Sequence, residues 1–203
     1  MSADTDPALR QGGTTPWRER LPLPAREQMT DEQRAAAQAL IDGPRKGVFG
    51  PFLPLLRAPQ LLDRVAALGE TLRFKGSLEA RIRELAICAA SRHVGNQFEW
   101  HMHAPLAIQA GVSAAAIDLL RQGARPQPLA TDEATAYDAC HELLHTNGLS
   151  DPTYQRAVEQ FGEPAVVELV TLVGYFVMVS WLMNVAHTPA QRSAGAPLPS
   201  WPA

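Results

Sequence analysis

The sequence has 203 residues, of which 46% are hydrophobic and 19% are charged, and its formal net charge is −3. These values fit an ordinary globular protein that is large enough to bury a core, and they exclude a basic surface for nucleic acid or for an anionic membrane. The two cysteines lie far apart and outside any CxxC motif, which excludes a disulfide framework and a dithiol redox motif. We expect a cytoplasmic protein, because reduced cysteines suit that compartment and no secretory signal is visible.

The two ends of the chain are rich in proline and lack helical periodicity. We predict an N-terminal arm at residues 1–28, which either packs on a neighbouring subunit through Trp17 and Leu21 or is disordered. Residues 189–203 are expected to form a loose tail. The segment between them, residues 29–188, is predicted to be a single domain.

Caps and breakers divide the central segment into helices. Thr30 and Gln33 have the spacing of a capping box, Ser77 is expected to cap a later helix, and residues 47–54 are expected to form a loop. The predicted helices lie at about residues 31–42, 59–73, 78–93, 96–110, 113–122, 131–146, 150–161 and 164–186. No segment shows the alternation of a strand, so we predict an all-α fold of about eight helices.

The last predicted helix contains a long apolar segment. Residues 169–186 form a run of 18 residues without a charge, which reaches the length of a membrane-spanning helix. The run contains Thr171, Ser180 and Asn184, and it lacks a basic flank that would set an orientation in a membrane. We therefore predict a helix buried in the bundle or in a subunit interface of a soluble protein.

The most informative segment is the pair of predicted helices around Gly95. Asn96, Glu99 and His103 fall within about 60° of one another on the second helix, at about 100° per residue. Their neighbours on that face are apolar, so the face is expected to be buried. A return turn at Gly95 would bring Glu84 of the first helix to the same place. A buried carboxylate–imidazole cluster suits proton transfer, although the same pair also occurs as a satisfied hydrogen bond in protein cores.

A second candidate motif is HELLH at residues 141–145. It has the HExxH pattern of zinc peptidases, in which two histidines bind the metal and the glutamate activates water. His141, Glu142 and His145 lie near the end of a polar helix, where an exposed charged face explains them equally well. A zinc hydrolase is therefore kept as an alternative.

The helix pair around Gly95 resembles the carboxymuconolactone decarboxylase family, whose fold is shared with the alkylhydroperoxidase D proteins. The resembling text is LRFKGSLEARIRELAICAASRHVGNQFEWHMHAPLAIQAGVSAAAI, residues 72–117. The later text VVELVTLVGYFVMVSWLMNVAHTP, residues 166–189, looks like the C-terminal helices of longer members. The resemblance implies an alkylhydroperoxidase D-like helical bundle that forms a homo-oligomer, trimeric or hexameric.

In the peroxidase branch of this family, a glutamate is followed by a CxxC motif and then by a histidine. Matched position by position, the glutamate is Glu84 and the histidine is His103, whereas Asn96 and Glu99 stand at the two cysteine positions. Without a thiolate there is no nucleophile to attack a peroxide, and Cys88 has no partner thiol. The resemblance thus leaves an antioxidant of the peroxiredoxin type as a disfavoured alternative.

The decarboxylase branch uses neither a thiol nor a cofactor, and we expect no metal. Its reaction takes 4-carboxymuconolactone to 4-oxoadipate enol-lactone and carbon dioxide. The resemblance implies His103 as the proton donor, with Glu99 or Glu84 fixing its tautomer and resupplying the proton. The implied substrate-binding residues are Asn96 and Trp100, which would line the pocket, and Arg81, which would neutralise the carboxylate that the substrate keeps.

The resemblance therefore implies a cofactor-independent carboxy-lyase that acts on a small carboxylated lactone by Glu/His acid–base catalysis. We expect no nucleic-acid partner and no membrane partner. Hydrolysis or isomerisation of a related ring by the same residues stays open, because a fold does not fix a reaction. A non-catalytic binding protein also stays open.

Overall fold

The structure is a computed structural model that describes residues 18–190 and 196–199. Within these ranges every regular element is helical, which confirms the predicted all-α fold. The α-helices of the described chain are α1 (Asp31–Asp42), α2 (Phe52–Leu55), α3 (Pro59–Glu70), α4 (Ala80–His93), α5 (Gln97–Gln109), α6 (Ala114–Arg121), α7 (Thr131–Thr146), α8 (Asp151–Phe161) and α9 (Glu163–Ala186). A 3-10 turn at Arg26–Gln28 precedes α1, and a π-helical turn at Thr71–Lys75 follows α3.

The bundle is built around α4, which packs against α5, α7 and α9. All residues from Glu84 to Ser91 are buried, so this helix contacts the protein on nearly every side. Alanines at positions 86, 89 and 90 let the neighbouring helices approach closely. A carboxylate at position 84 is therefore inside the core, where an unpaired charge would be costly.

The ends of the helices agree with the predicted caps in part. The side chains and backbone of Thr30 and Gln33 form the predicted capping box at the start of α1. Ser77 does not cap α4, which begins after Glu79; its backbone N–H and its hydroxyl both donate to Glu168 of α9 at 2.8 Å. The expected loop at 47–54 contains the single turn of α2.

Helix α9 is long and apolar enough to cross a membrane by length and composition, and it is the one such helix among the described residues. Half of its apolar stretch is buried inside the bundle. Its opposite face exposes Val167, Trp181 and Val185. That exposed face is compatible with the predicted subunit interface, which stays a prediction.

The described parts of the arm and tail pack against the bundle. The backbone N–H of Arg20 donates to the carbonyl oxygen of Ala186 at 2.8 Å. Leu198 is buried, and its backbone exchanges two hydrogen bonds with the side-chain amide of Gln97, at 2.8 and 3.0 Å. The tail at residues 196–199 is thus attached to α5 rather than loose. Trp17, which we predicted to contact a neighbour, lies outside the described residues.

Candidate active site

The turn between α4 and α5 fixes the register of the candidate site. Gly95 has a φ of 65°, a left-handed conformation that favours glycine and reverses the chain. Asn96 then caps α5, because its side-chain oxygen accepts the backbone N–H of Glu99 at 2.8 Å. Its amide donates to the carbonyl oxygen of Ser180 at 3.2 Å and to the side-chain oxygen of Asn184 at 2.9 Å. The start of α5 is therefore held both to its own first turn and to α9.

The imidazole of His103 lies between two carboxylates. Its Nδ1 is 2.5 Å from Oε2 of Glu84, and its Nε2 is 3.3 Å from Oε2 of Glu99. All three side chains are buried, and the edge of the imidazole meets the ring of Phe176 with 5.1 Å between the centroids. The structure thus brings together the three residues that the sequence predicts as catalytic.

This arrangement favours a protonated histidine. Burial alone lowers the pKa of His103, but the hydrogen bonds to Glu84 and Glu99 outweigh it, so the pKa lies above its ordinary value of 6.5. Burial raises the pKa of Glu84, and the contact with His103 and the charges of Arg73 and Arg83 reverse the effect, so the net pKa is lowered. An imidazolium with both N–H groups directed at carboxylates is the arrangement of a proton relay.

A cavity of about 30 Å³ opens beside this relay. Glu99 and His103 line it, whereas Glu84 does not line it and contacts Nδ1 of His103. Phe98 and Phe176 supply part of an apolar wall. A bound molecule would therefore meet both Glu99 and His103, and Glu99 stands at the end of the chain of contacts that begins at Glu84.

The three residues that the sequence predicts for substrate binding are engaged elsewhere, and none of them lines this cavity. Asn96 is the helix cap described above. The indole N–H of Trp100 donates to the carbonyl oxygen of Ala196 at 3.0 Å. Arg81 pairs with Asp132 at 2.5 Å and with Glu133 at 3.3 Å, which joins α4 to α7 and leaves its charge compensated.

The polar groups that do line the cavity beyond the relay are Arg45, Arg73 and Tyr175. Burial raises the pKa of Tyr175 to about 12, so its phenol stays protonated at neutral pH. The sequence gives no local signal for these residues, because they come from the loop after α1, from the π-helical turn and from α9. Only the packing of distant segments brings them to the helix pair.

The HExxH segment on α7 does not have the geometry of a zinc-peptidase site. Glu142 accepts the backbone N–H of Ser150 at 2.6 Å and its hydroxyl at 3.2 Å, so it stabilises the start of α8 instead of facing a metal. His141 and His145 line a separate cleft of about 340 Å³ together with His93. In the described parts of the chain, no three metal-binding side chains are arranged to hold an ion.

Both cysteine thiols are buried, which disfavours the reactive thiolate form. Burial raises the pKa of Cys88 well above its ordinary value, and the nearby Glu84 raises it further. Burial also raises the pKa of Cys140 to about 12. Neither thiol lines the cavity beside Glu99.

Comparison with known proteins agrees with this geometry. Residues 59–139 match the model of the Carboxymuconolactone decarboxylase family, and this range contains Glu84, Glu99 and His103. The match confirms the resemblance to the carboxymuconolactone decarboxylase family that we noted in the sequence. No curated protein gives a significant match.

The fold is also found in a solved structure, described as an alkylhydroperoxidase AhpD core and as an uncharacterized peroxidase-related protein from Ralstonia eutropha JMP134. The TM-score is 0.68 at 16% sequence identity, and the superposition covers 85% of this chain and 92% of the other. At this identity the likeness shows the fold alone. It confirms the predicted alkylhydroperoxidase D-like bundle.

Proposed function

Since residues 59–139 match the Carboxymuconolactone decarboxylase family, we propose that the protein is a cofactor-independent carboxy-lyase acting on a small carboxylated lactone or a related unsaturated acid. The observation that carries the proposal is the buried imidazole of His103 between Glu84 and Glu99, beside a cavity that Glu99 reaches. Acid–base groups held in this way suit a reaction that needs one positioned proton and no external electrons.

In this proposal Glu99 contacts the reacting atoms. When the carbon–carbon bond to the carboxylate breaks, carbon dioxide leaves and its bonding electron pair moves into the conjugated lactone. The Nε2 proton of His103 passes to the carboxylate of Glu99, and the far carbon of the conjugated system takes that proton from Glu99. This leaves a neutral imidazole and a carboxylate at Glu99, and a proton taken up from solvent restores the imidazolium that the carboxylate of Glu84 stabilises.

This assignment differs from the one that the family resemblance implies, in which His103 protonates the substrate directly. Both ring nitrogens of His103 are within hydrogen-bonding reach of carboxylates, so the imidazole has no nitrogen left for a substrate. We therefore propose His103 as the residue that passes the proton and Glu99 as the residue that delivers it.

The cavity is smaller than the proposed substrate. A volume of about 30 Å³ holds one or two water molecules, and a carboxylated lactone is much larger. Phe49 and Met102 are half-buried parts of the lining. We propose that these side chains move when a substrate enters, which would also exclude water from Glu99 during the reaction.

A thiol peroxidase is the main competing function, since the solved structure with this fold is described as peroxidase-related. The burial and raised pKa of Cys88 and Cys140 argue against it. Replacing both cysteines by serine separates the two functions. A peroxide-consuming activity that depends on either thiol would favour the competitor.

The direct experiment follows the ultraviolet absorbance of 4-carboxymuconolactone with purified protein and measures the carbon dioxide released, with and without a chelator. We expect chelator-insensitive decay with equal amounts of lactone lost and carbon dioxide formed. Loss of lactone without carbon dioxide would indicate hydrolysis or isomerisation. No loss of lactone would refute this substrate.

A further inference from the structure

Two arginines line the cavity without a direct ion pair to an acidic side chain. Arg45 lies in the loop after α1, and Arg73 lies in the π-helical turn after α3. Among the described residues, neither guanidinium lies within ion-pair distance of a carboxylate. Arg81, the arginine that we predicted for substrate binding, is instead paired with Asp132 and Glu133. Unpaired arginines beside a cavity are a costly arrangement unless an anion completes it.

The contacts of Arg45 hold its guanidinium in place. Its Nη2 donates to the carbonyl oxygen of Ala66 at 3.0 Å, and its Cζ lies 4.4 Å from the centre of the Phe52 ring. It also hydrogen-bonds to Tyr175. Gly69 makes room for this group, because a Cβ there would lie 2.2 Å from the hydroxyl oxygen of Tyr175. Arg45 is therefore preorganised, with little side-chain entropy left to lose on binding.

Arg73 has an unmet hydrogen-bonding requirement. Its Nε is buried and has no hydrogen-bond partner. Its guanidinium lies 5.1 Å from the centre of the Phe74 ring, which supports the charge without accepting a hydrogen bond. Buried donors are rarely left without an acceptor in proteins. A bound ligand that accepts a hydrogen bond from Nε of Arg73 would supply the missing partner.

The charges around the cavity leave an excess of positive charge. The cavity lining contains the guanidinium groups of Arg45 and Arg73 and the carboxylate of Glu99, whereas Glu84 is paired with His103, so the lining holds one more cation than carboxylate. The two charged residues next to the lining, Arg83 and Glu70, leave the net charge around the cavity positive. Arg83, 3.6 Å from Glu84, adds a further cation, and Glu70 is already paired with Lys75 at 2.8 Å.

We propose that Arg45 and Arg73 form a carboxylate-binding site and hold the carboxylate that the substrate keeps, while Glu99 acts on the rest of the molecule. The carboxylate-binding site is inferred from the two arginines. The role of Glu99 rests on the proposed function. The ligand class is a small unsaturated dicarboxylate, one end of which is bound by the two guanidinium groups.

Calorimetric titration tests the binding site apart from catalysis. The probe is cis,cis-muconate, with its dimethyl ester as a control of the same carbon skeleton and no charge. We expect the wild-type protein to bind muconate and not the ester. Arg45→Gln and Arg73→Gln should each weaken binding at least about tenfold, because a hydrogen bond to a charged group is lost. Arg64→Gln, on the exposed face of α3, should leave the affinity unchanged.

Arg45→Lys distinguishes loss of binding from loss of folding. It keeps the positive charge but replaces the guanidinium, which can donate two parallel hydrogen bonds to a carboxylate, by a single ammonium group. It should bind muconate more weakly than the wild type while keeping the same melting temperature within a few degrees. Equal affinity in the wild type and both glutamine variants would overturn the inference. So would equal binding of the ester, or no binding of muconate by the wild type.

Glu99→Gln separates this inference from the proposed function. If both are correct, this variant loses turnover and keeps arginine-dependent binding of muconate. Arginine-dependent binding without any lactone turnover in the wild type would refute the lyase proposal alone. Lactone turnover with a KM that is unchanged by Arg45→Gln and Arg73→Gln would refute the carboxylate site alone.

Discussion

His103 of α5 and Glu84 of α4 are joined by a contact of 2.5 Å between Nδ1 and Oε2, and both side chains are buried. The pair joins two helices, α4 and α5, that pack against each other. In a medium of low dielectric constant each charge depends on the other, because neither has bulk water to replace its partner. The contact therefore stabilises the packing of α4 against α5. It also forms the part of the proposed proton relay that lies farthest from the cavity.

Glu84→Gln should weaken this tie without changing the shape of the side chain. We expect the unfolding free energy to fall by about 1–3 kcal/mol at neutral pH, because His103 loses a charged acceptor in a buried place. The pKa of His103 should fall as well, which an NMR titration of its ring protons measures. An unchanged pKa of His103 would contradict the assigned pair. Glu32→Gln, on the exposed start of α1, is the matched control.

The pair should also make stability depend on pH in a defined window. The pKa of His103 is raised, so its contribution is full below the unfolded value near 6.5 and disappears as the pH rises through the folded pKa. The pKa of Glu84 is lowered, so its contribution is full above the unfolded value near 4.5 and disappears as the pH falls through the folded pKa. Both contributions coexist between these two limits.

Urea unfolding of the wild type and of His103→Gln as a function of pH measures this window. We expect the stability difference between the two proteins to be greatest between pH 4.5 and 6.5 and to shrink at more acid and more alkaline pH. His145→Gln, which removes an exposed histidine, should lack this profile. A difference that stays constant from pH 4 to 9 would show that the pair does not change its protonation on unfolding.

Glu99→Gln should remove the proposed catalytic proton while preserving the fold. The cap of α5 uses the backbone N–H of Glu99 and not its carboxylate, so the helix start is kept. We expect lactone turnover to fall by about 100-fold or more, as is typical when a general acid is removed. Full turnover with an unchanged melting temperature would exclude Glu99 from the chemistry.

The candidate site shows what a sequence can and cannot predict. The helical spacing of Glu99 and His103, with Gly95 before them, was sufficient to predict the buried face and its meeting with Glu84. The cavity arginines were not predictable, because Arg45 and Arg73 reach the site only through the packing of α1, α3 and α9. The pairing of Arg81 was not predictable either, because its partner Asp132 on α7 lies 51 residues further along the chain.

Arg81→Gln should act on stability and not on substrate binding. Arg81 donates to both oxygens of Asp132, at 2.8 and 2.5 Å, and these groups are partly solvent-exposed. We expect a loss of about 1 kcal/mol of unfolding free energy, reduced from the value of a buried pair by solvent screening. KM for the lactone should not change. A double-mutant cycle with Asp132→Asn measures the pair directly, and a large rise in KM would restore Arg81 to the substrate site.

Glu142→Gln tests the remaining HExxH alternative. Glu142 stabilises the start of α8 by accepting the backbone N–H and the hydroxyl of Ser150, and its pKa is lowered by hydrogen bonds from Thr153 and Ser150. We therefore expect a slightly lower melting temperature and no change in lactone turnover, measured with and without a chelator. His141→Ala should likewise leave turnover intact. Zinc bound in a one-to-one ratio and lost in His141→Ala, together with inactivity of Glu142→Gln, would instead support a zinc hydrolase on α7.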